Sequence, residues 1–156
     1  YYPNGNLLAE ENYSRDNLQG EVKYYNDQGR LIGVENWNQG ILEDSASYFY
    51  DNSQLEKAGR YNNGQYVGIW KFYHKNGQLK RAMNYSQGEP DGVWNYYNEE
   101  GVLIQEGQYI DGKEAGEWKF YNNKGRLEYT GTYKEGERVG QWFYINKTGK
   151  KEKIDF

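Results

Sequence analysis

One spacing constrains this chain more than any other feature. Starting from Gly77 of the stretch HKNGQL and stepping by 24 residues in either direction lands on Gly5, Gly29, Ser53, Gly101, Gly125 and Gly149. Two places further on, the same step gives Leu7, Leu31, Leu55, Leu79, Leu103, Leu127 and then Lys151. A period in this range means that one supersecondary unit is stacked on copies of itself. The chain holds about six and a half such copies with no insertion between them.

Aromatic residues fill further columns: Tyr13, Trp37, Tyr61, Tyr85, Tyr109 and Tyr133, and again Tyr24, Tyr48, Phe72, Tyr96, Phe120 and Tyr144. Trp70, Trp94, Trp118 and Trp142 form a column that the early units replace with Val22 and Ala46. The unit is strongest over residues 59–144 and degenerate over 38–58, while residues 145–156 read as a C-terminal cap to a single domain spanning 1–156. The pattern starts in full stride at Tyr1, so upstream residues or a dimer contact through the end strand are expected there.

Each unit predicts a β-hairpin. Alternating residues around Trp70–Tyr73 run into a glycine-bearing turn, and alternation resumes from Leu79 to Tyr85 before a second glycine turn. Strands joined by such short loops pair as antiparallel neighbours. The predicted fold is all-β: an elongated, twisted antiparallel meander of 12 or 13 strands, about 60 Å long at a spacing of roughly 4.8 Å. Alternation puts Trp94 and Tyr96 on one face, Asn95 and Tyr97 on the other, and Leu103, Gln105, Gly107 and Tyr109 together on one side. The Trp and Leu columns are therefore expected to form the core. Small residues recur at Gly59, Gly107 and Gly131, with Met83 as an exception, and a ring from the next strand is expected to lie across each glycine.

Composition excludes several functions. With no Cys and one His, the chain offers no disulfide, no catalytic thiolate and no ordinary zinc site. A net charge of -4 makes it a poor ligand for nucleic acid or for anionic lipid, since both need clustered Lys and Arg. The lone His74 occupies a turn position that is Asn26, Asn98 and Asn122 in other units, so it reads as a turn residue. The carboxylates scatter through turns without forming a pair in a pocket, and the glycine loops lack the helix of a phosphate cradle. No catalytic residue, metal or cofactor is expected.

What remains is a column of rings opposite the tryptophans: Tyr25, Phe49, Tyr73, Tyr97 and Tyr121, flanked by Lys71, Asn95 and Lys119. Two readings compete. The rings either pack the second face, or form an exposed stripe for a partner protein or for stacked sugar rings.

The stretches GRYNNGQYVGIWKFYHKNGQLK and GQYIDGKEAGEWKFYNNKGRLE resemble the MORN repeat in its longer bacterial variant. Gly107, Tyr109, Gly112, Lys113, Gly116, Trp118, Phe120, Tyr121, Gly125 and Leu127 carry the likeness. The loop histidine of many eukaryotic repeats is replaced here by Val67, Asp91, Ala115 and Val139. The resemblance implies an elongated hairpin array and, for function, a scaffold or the antitoxin-like member of a toxin–antitoxin pair. A cytoplasmic or an exported bacterial setting would suit it. The expected function is thus a non-catalytic, protein-binding repeat scaffold, with an exported glycan-binding or cell-surface module using the Tyr stripe as the alternative.

Overall fold

A computed structural model describes residues 1–155; Phe156, which the sequence assigns to the terminal cap, lies outside the described residues. The strands are β1 (Ala9–Glu10), β2 (Tyr13–Ser14), β3 (Asn17–Leu18), β4 (Gly20–Tyr25), β5 (Leu31–Asn38), β6 (Ile41–Leu42), β7 (Asp44–Phe49) and β8 (Leu55–Asn62). They continue as β9 (Gln65–Tyr73), β10 (Leu79–Ser86), β11 (Glu89–Tyr97), β12 (Leu103–Ile110), β13 (Lys113–Tyr121), β14 (Leu127–Lys134), β15 (Glu137–Ile145) and β16 (Lys151–Ile154). One sheet runs through β1, β4, β5 and then β7 to β16 in chain order, with β6 attached to β5 and β2–β3 as a separate small hairpin. This is the antiparallel meander that the short loops predict.

Two turns alternate along the meander. At one end of each unit a two-residue turn holds both residues at positive φ, as at Asn63 (φ 50) and Gly64 (φ 74), which matches the right-handed twist of the strands it joins. The amide of its glycine then bonds to the preceding unit, as Gly64 N to Leu42 O at 2.9 Å. At the other end is the turn of HKNGQL, closed by His74 N to Gln78 O and Gly77 N to His74 O, each at 2.9 Å. Its glycine is left-handed in each unit, and Ser53, the one lapse in the column, takes φ 66.

The core lies on the tryptophan face. Trp70, Trp118 and Trp142 are 0%, 3% and 3% exposed, and Met83 is buried between Trp70 and Trp94, both of which it faces in register. A Cβ added to Gly59, Gly107 or Gly131 would fall 2.2, 2.2 or 2.0 Å from the ring of Trp70, Trp118 or Trp142. The glycine column is thus where the indoles lie flat on the backbone, as the spacing predicts. Tyrosines wedge edge-on between successive indoles: Tyr109 sits 5.6 Å from Trp94 and 5.4 Å from Trp118.

The leucines are not part of this core. A β-bulge in each unit shifts the register, so that Gln105 faces Tyr96 but Leu103 faces Tyr97. The same shift pairs Leu31 with Tyr25, Leu55 with Phe49, Leu79 with Tyr73 and Leu127 with Tyr121. Simple alternation puts Leu103 with Gln105; the extra residue of the bulge moves it to the opposite face. Early units, lacking tryptophan in that column, bury Val22 and Ala46 there instead and gather polar groups around Glu35. Its carboxylate accepts from Tyr48 Oη at 2.6 Å and from Trp37 Nε1 at 3.1 Å, and Tyr48 Oη also lies 3.0 Å from Tyr61 Oη.

Candidate binding face

The bulge decides the character of the tyrosine stripe. Tyr25, Phe49, Tyr73, Tyr97 and Tyr121 each face a leucine and are half-buried, which lies between the packed face and the exposed stripe that the sequence left open. Their backbone is held from the preceding unit. The carbonyls of Tyr25, Tyr73 and Tyr97 accept bonds from Tyr2 Oη (2.9 Å), Tyr50 Oη (2.9 Å) and His74 Nε2 (2.8 Å). A carbonyl can only accept, so His74 carries its proton on Nε2. Tyr2, Tyr50 and His74 therefore act as struts between turns. In the units of Asn26, Asn98 and Asn122 the side-chain oxygen at this position closes the turn locally, as Asn98 Oδ1 does by accepting from Val102 N at 2.8 Å, and Asn98 Nδ2 also reaches Asn123 O of the next unit at 3.5 Å.

The polar residues assigned to the site lie on one cross-strand row. Lys71 faces Ala82, Ala82 faces Asn95, Asn95 faces Glu106, and Glu106 faces Lys119. Toward the C-terminal end of the row Lys119 Nζ lies 2.9 Å from Glu106 Oε1 and Tyr121 Oη donates to the same oxygen at 2.8 Å. The Lys119 hydrogen bond, followed by that of Tyr121, holds the Glu106 carboxyl below its usual range, and the same bond raises Lys119. Burial and then Glu106 push the Tyr121 phenol up. At the other end, Lys23 pairs with Glu21 at 3.0 Å, while desolvation and the neighbouring Glu10 raise Tyr25. Lys119, Tyr121 and Tyr25 are thus already engaged.

The middle of the face differs. Lys71 is exposed and forms no ion pair among the described residues. Two places before Lys71 and Asn95 stand Ile69 and Val93, 63% and 65% exposed. Since side chains two apart share a face, Ile69, Lys71 and Tyr73 on β9 and Val93, Asn95 and Tyr97 on β11 form one surface, separated by Ala82 and Asn84 of β10. Sequence reasoning overlooks Ile69 and Val93. The signal was present in their column, which reads Glu21, Ser45, Ile69, Val93, Glu117 and Gln141, apolar only in the centre. Among the described residues no three His, Cys, Asp or Glu side chains are grouped to hold a metal ion.

Comparison with known proteins agrees with this architecture. The family described as "MORN repeat variant" matches residues 1–15, 66–87, 90–111 and 115–135, together more than half of the chain. No curated protein matches the sequence. Among solved structures, a GtfA/B complex bound to UDP and GlcNAc is 11% identical and covers 80% of this chain with a TM-score of 0.32; this chain spans 24% of that one. A protein of unknown function from Bacteroides fragilis NCTC 9343 is 12% identical, covering 97% of this chain and 91% of its own with a TM-score of 0.17. Neither likeness is close enough to bear on function.

Proposed function

This chain belongs to the MORN repeat variant family, and from that premise we propose that it is a non-catalytic scaffold holding a partner protein against the centre of its tyrosine-bearing face. Repeats of this family serve generally as modules for protein and membrane interaction. The observation that carries the reading is the exposure of Ile69 and Val93, at 63% and 65%, beside the unpaired Lys71. Toward the ends of the face, by contrast, Lys23 and Lys119 are paired with carboxylates. An apolar centre beside Lys71, which forms no ion pair among the described residues, suits a partner that presents an aliphatic side chain next to a carboxylate. The half-buried rings of Tyr73 and Tyr97 then form a rigid floor for it. They offer a sugar less, because stacking on a pyranose requires an open ring face.

A toxin masked by the rod is a partner of this kind. The test takes the product of a neighbouring gene that arrests growth when expressed alone. Co-expression of this chain should restore growth, whereas the double variant I69D/V93D should fail to do so while keeping the wild-type melting temperature. Equal protection by a folded double variant would place the interface elsewhere.

A further inference from the structure

The long strand of the repeat is interrupted in the two early units, between β3 and β4 and again between β6 and β7, and a cleft opens at the second interruption. β5 and β7 pair only at Gly33 with Tyr48 and Val34 with Ser47. Beyond those pairs, Asn36 Nδ2 donates to Ser45 O at 2.8 Å and lies 3.1 Å from Ser45 Oγ. Later units run through this position as one strand of nine residues, such as β9 or β13. Here the chain is broken into β6 and β7 on either side of Glu43.

Asp44 makes this unit different. Its equivalents are Gly20, Gly68, Gly92, Gly116 and Gly140, all at positive φ, and Asp44 takes the same left-handed conformation at φ 60. Glycine would hold that shape without strain, so a side chain kept there against the backbone preference calls for a reason. Its carboxylate accepts from Arg60 Nε at 3.1 Å across the cleft. The cleft measures about 530 Å³ and is lined by Asn36, Trp37, Asp44, Arg60, Tyr61 and Asn62 among others.

We propose that this cleft binds a neutral oligosaccharide of hexose units. The Trp37 indole suits the apolar C–H face of a pyranose, while the Tyr61 ring, edge-on to Tyr66 and Trp70 at 5.1 Å each, walls the cleft, and planar amides with a carboxylate suit adjacent hydroxyls. Bonding capacity is left for such a ligand: Asp44 Oδ2, the Arg60 terminal nitrogens and Asn62 Nδ2 have no partner among the described residues. Trp37 is held in place by its bond to Glu35. Glu43 and Asp44 outnumber Arg60 in the lining, which disfavours phosphate, sulfate or uronate. The site is distinct from the Ile69–Val93 surface, so either assignment can fail alone.

The test follows the Trp37 indole N–H resonance while cellotetraose and, separately, maltotetraose are titrated into the tens of millimolar. At least one should give a saturable shift. Asp44→Gly restores the residue that the other units carry; it should keep or raise the melting temperature and weaken binding at least tenfold. Asn62→Ala should weaken it at least threefold, and I69D/V93D should leave it unchanged. No shift with either sugar overturns the proposal, and so does binding that neither Asp44→Gly nor Asn62→Ala weakens.

Discussion

Replacing Gly107 with alanine tests the central packing idea with one methyl group. The added Cβ would lie 2.2 Å from Trp118 Cδ2 and 2.3 Å from Cε2, whereas ordinary contact begins at 3.4 Å. The ring must therefore move by about 1 Å, and it cannot do so freely: Trp118 is 3% exposed, with Tyr109 and Tyr133 edge-on at 5.4 and 5.6 Å. If the ring stays, overpacking costs about 1–3 kcal/mol; if it is expelled, losing a buried indole costs about 3–5 kcal/mol. We expect a loss of about 2–4 kcal/mol, or a fall in melting temperature of roughly 5–15 °C for a chain of this length. Gly116→Ala is the control, because its φ is +69 but nothing lies within 4 Å of the new Cβ. It should cost only the left-handed strain, about 1 kcal/mol. Urea unfolding followed by tryptophan fluorescence measures both. In a Trp118→Ala background the Gly107 penalty should disappear. A Gly107→Ala variant no less stable than Gly116→Ala would refute the claim that the indole rests on the glycine.

Other expectations follow from the turns and the charged row. Ser53→Gly removes a left-handed serine at φ 66 that makes way for glycine in the other units, and should raise stability by about 0.5–1 kcal/mol in the same urea assay. Glu106 has its folded-state pKa lowered by Lys119 and Tyr121, so its contribution is present above the ordinary carboxylate pKa and lost as pH falls through the lower folded value. Stability should accordingly decline below about pH 4, and Glu106→Gln should flatten that acid limb; an unchanged limb would mean that the cluster does not form in solution. At the alkaline end, burial first and neighbouring groups second push Tyr24, Tyr61 and Tyr109 up to about 12. Absorbance near 295 nm should therefore show some phenols ionising well above pH 10, with stability falling as they do so.

Periodicity made most of the fold legible. A fixed step of 24 with glycine, leucine and aromatic columns leaves the chain no solution but repeated hairpins, and short loops allow only antiparallel neighbours. Gly107 and Trp118 could be matched from sequence because a residue without a side chain beside a column of indoles has one obvious use. The tertiary structure decided what alternation could not. One extra residue in each bulge moved Leu103 from the Trp94 face to the Tyr97 face, where it stands opposite a half-buried tyrosine. Period-2 reasoning assumes an unbroken pleat, and a bulge breaks it without leaving a mark in composition. The free surface at Ile69, Lys71 and Val93 likewise depends on which lysines find a carboxylate across the sheet, a matter of register between strands. The strut made by His74 and the cleft behind Asp44 join residues 23 and 16 positions apart. Sequence alone determined the repeating unit and its hairpins; only the stacking of one unit on the next decided which side chains were left over to bind anything.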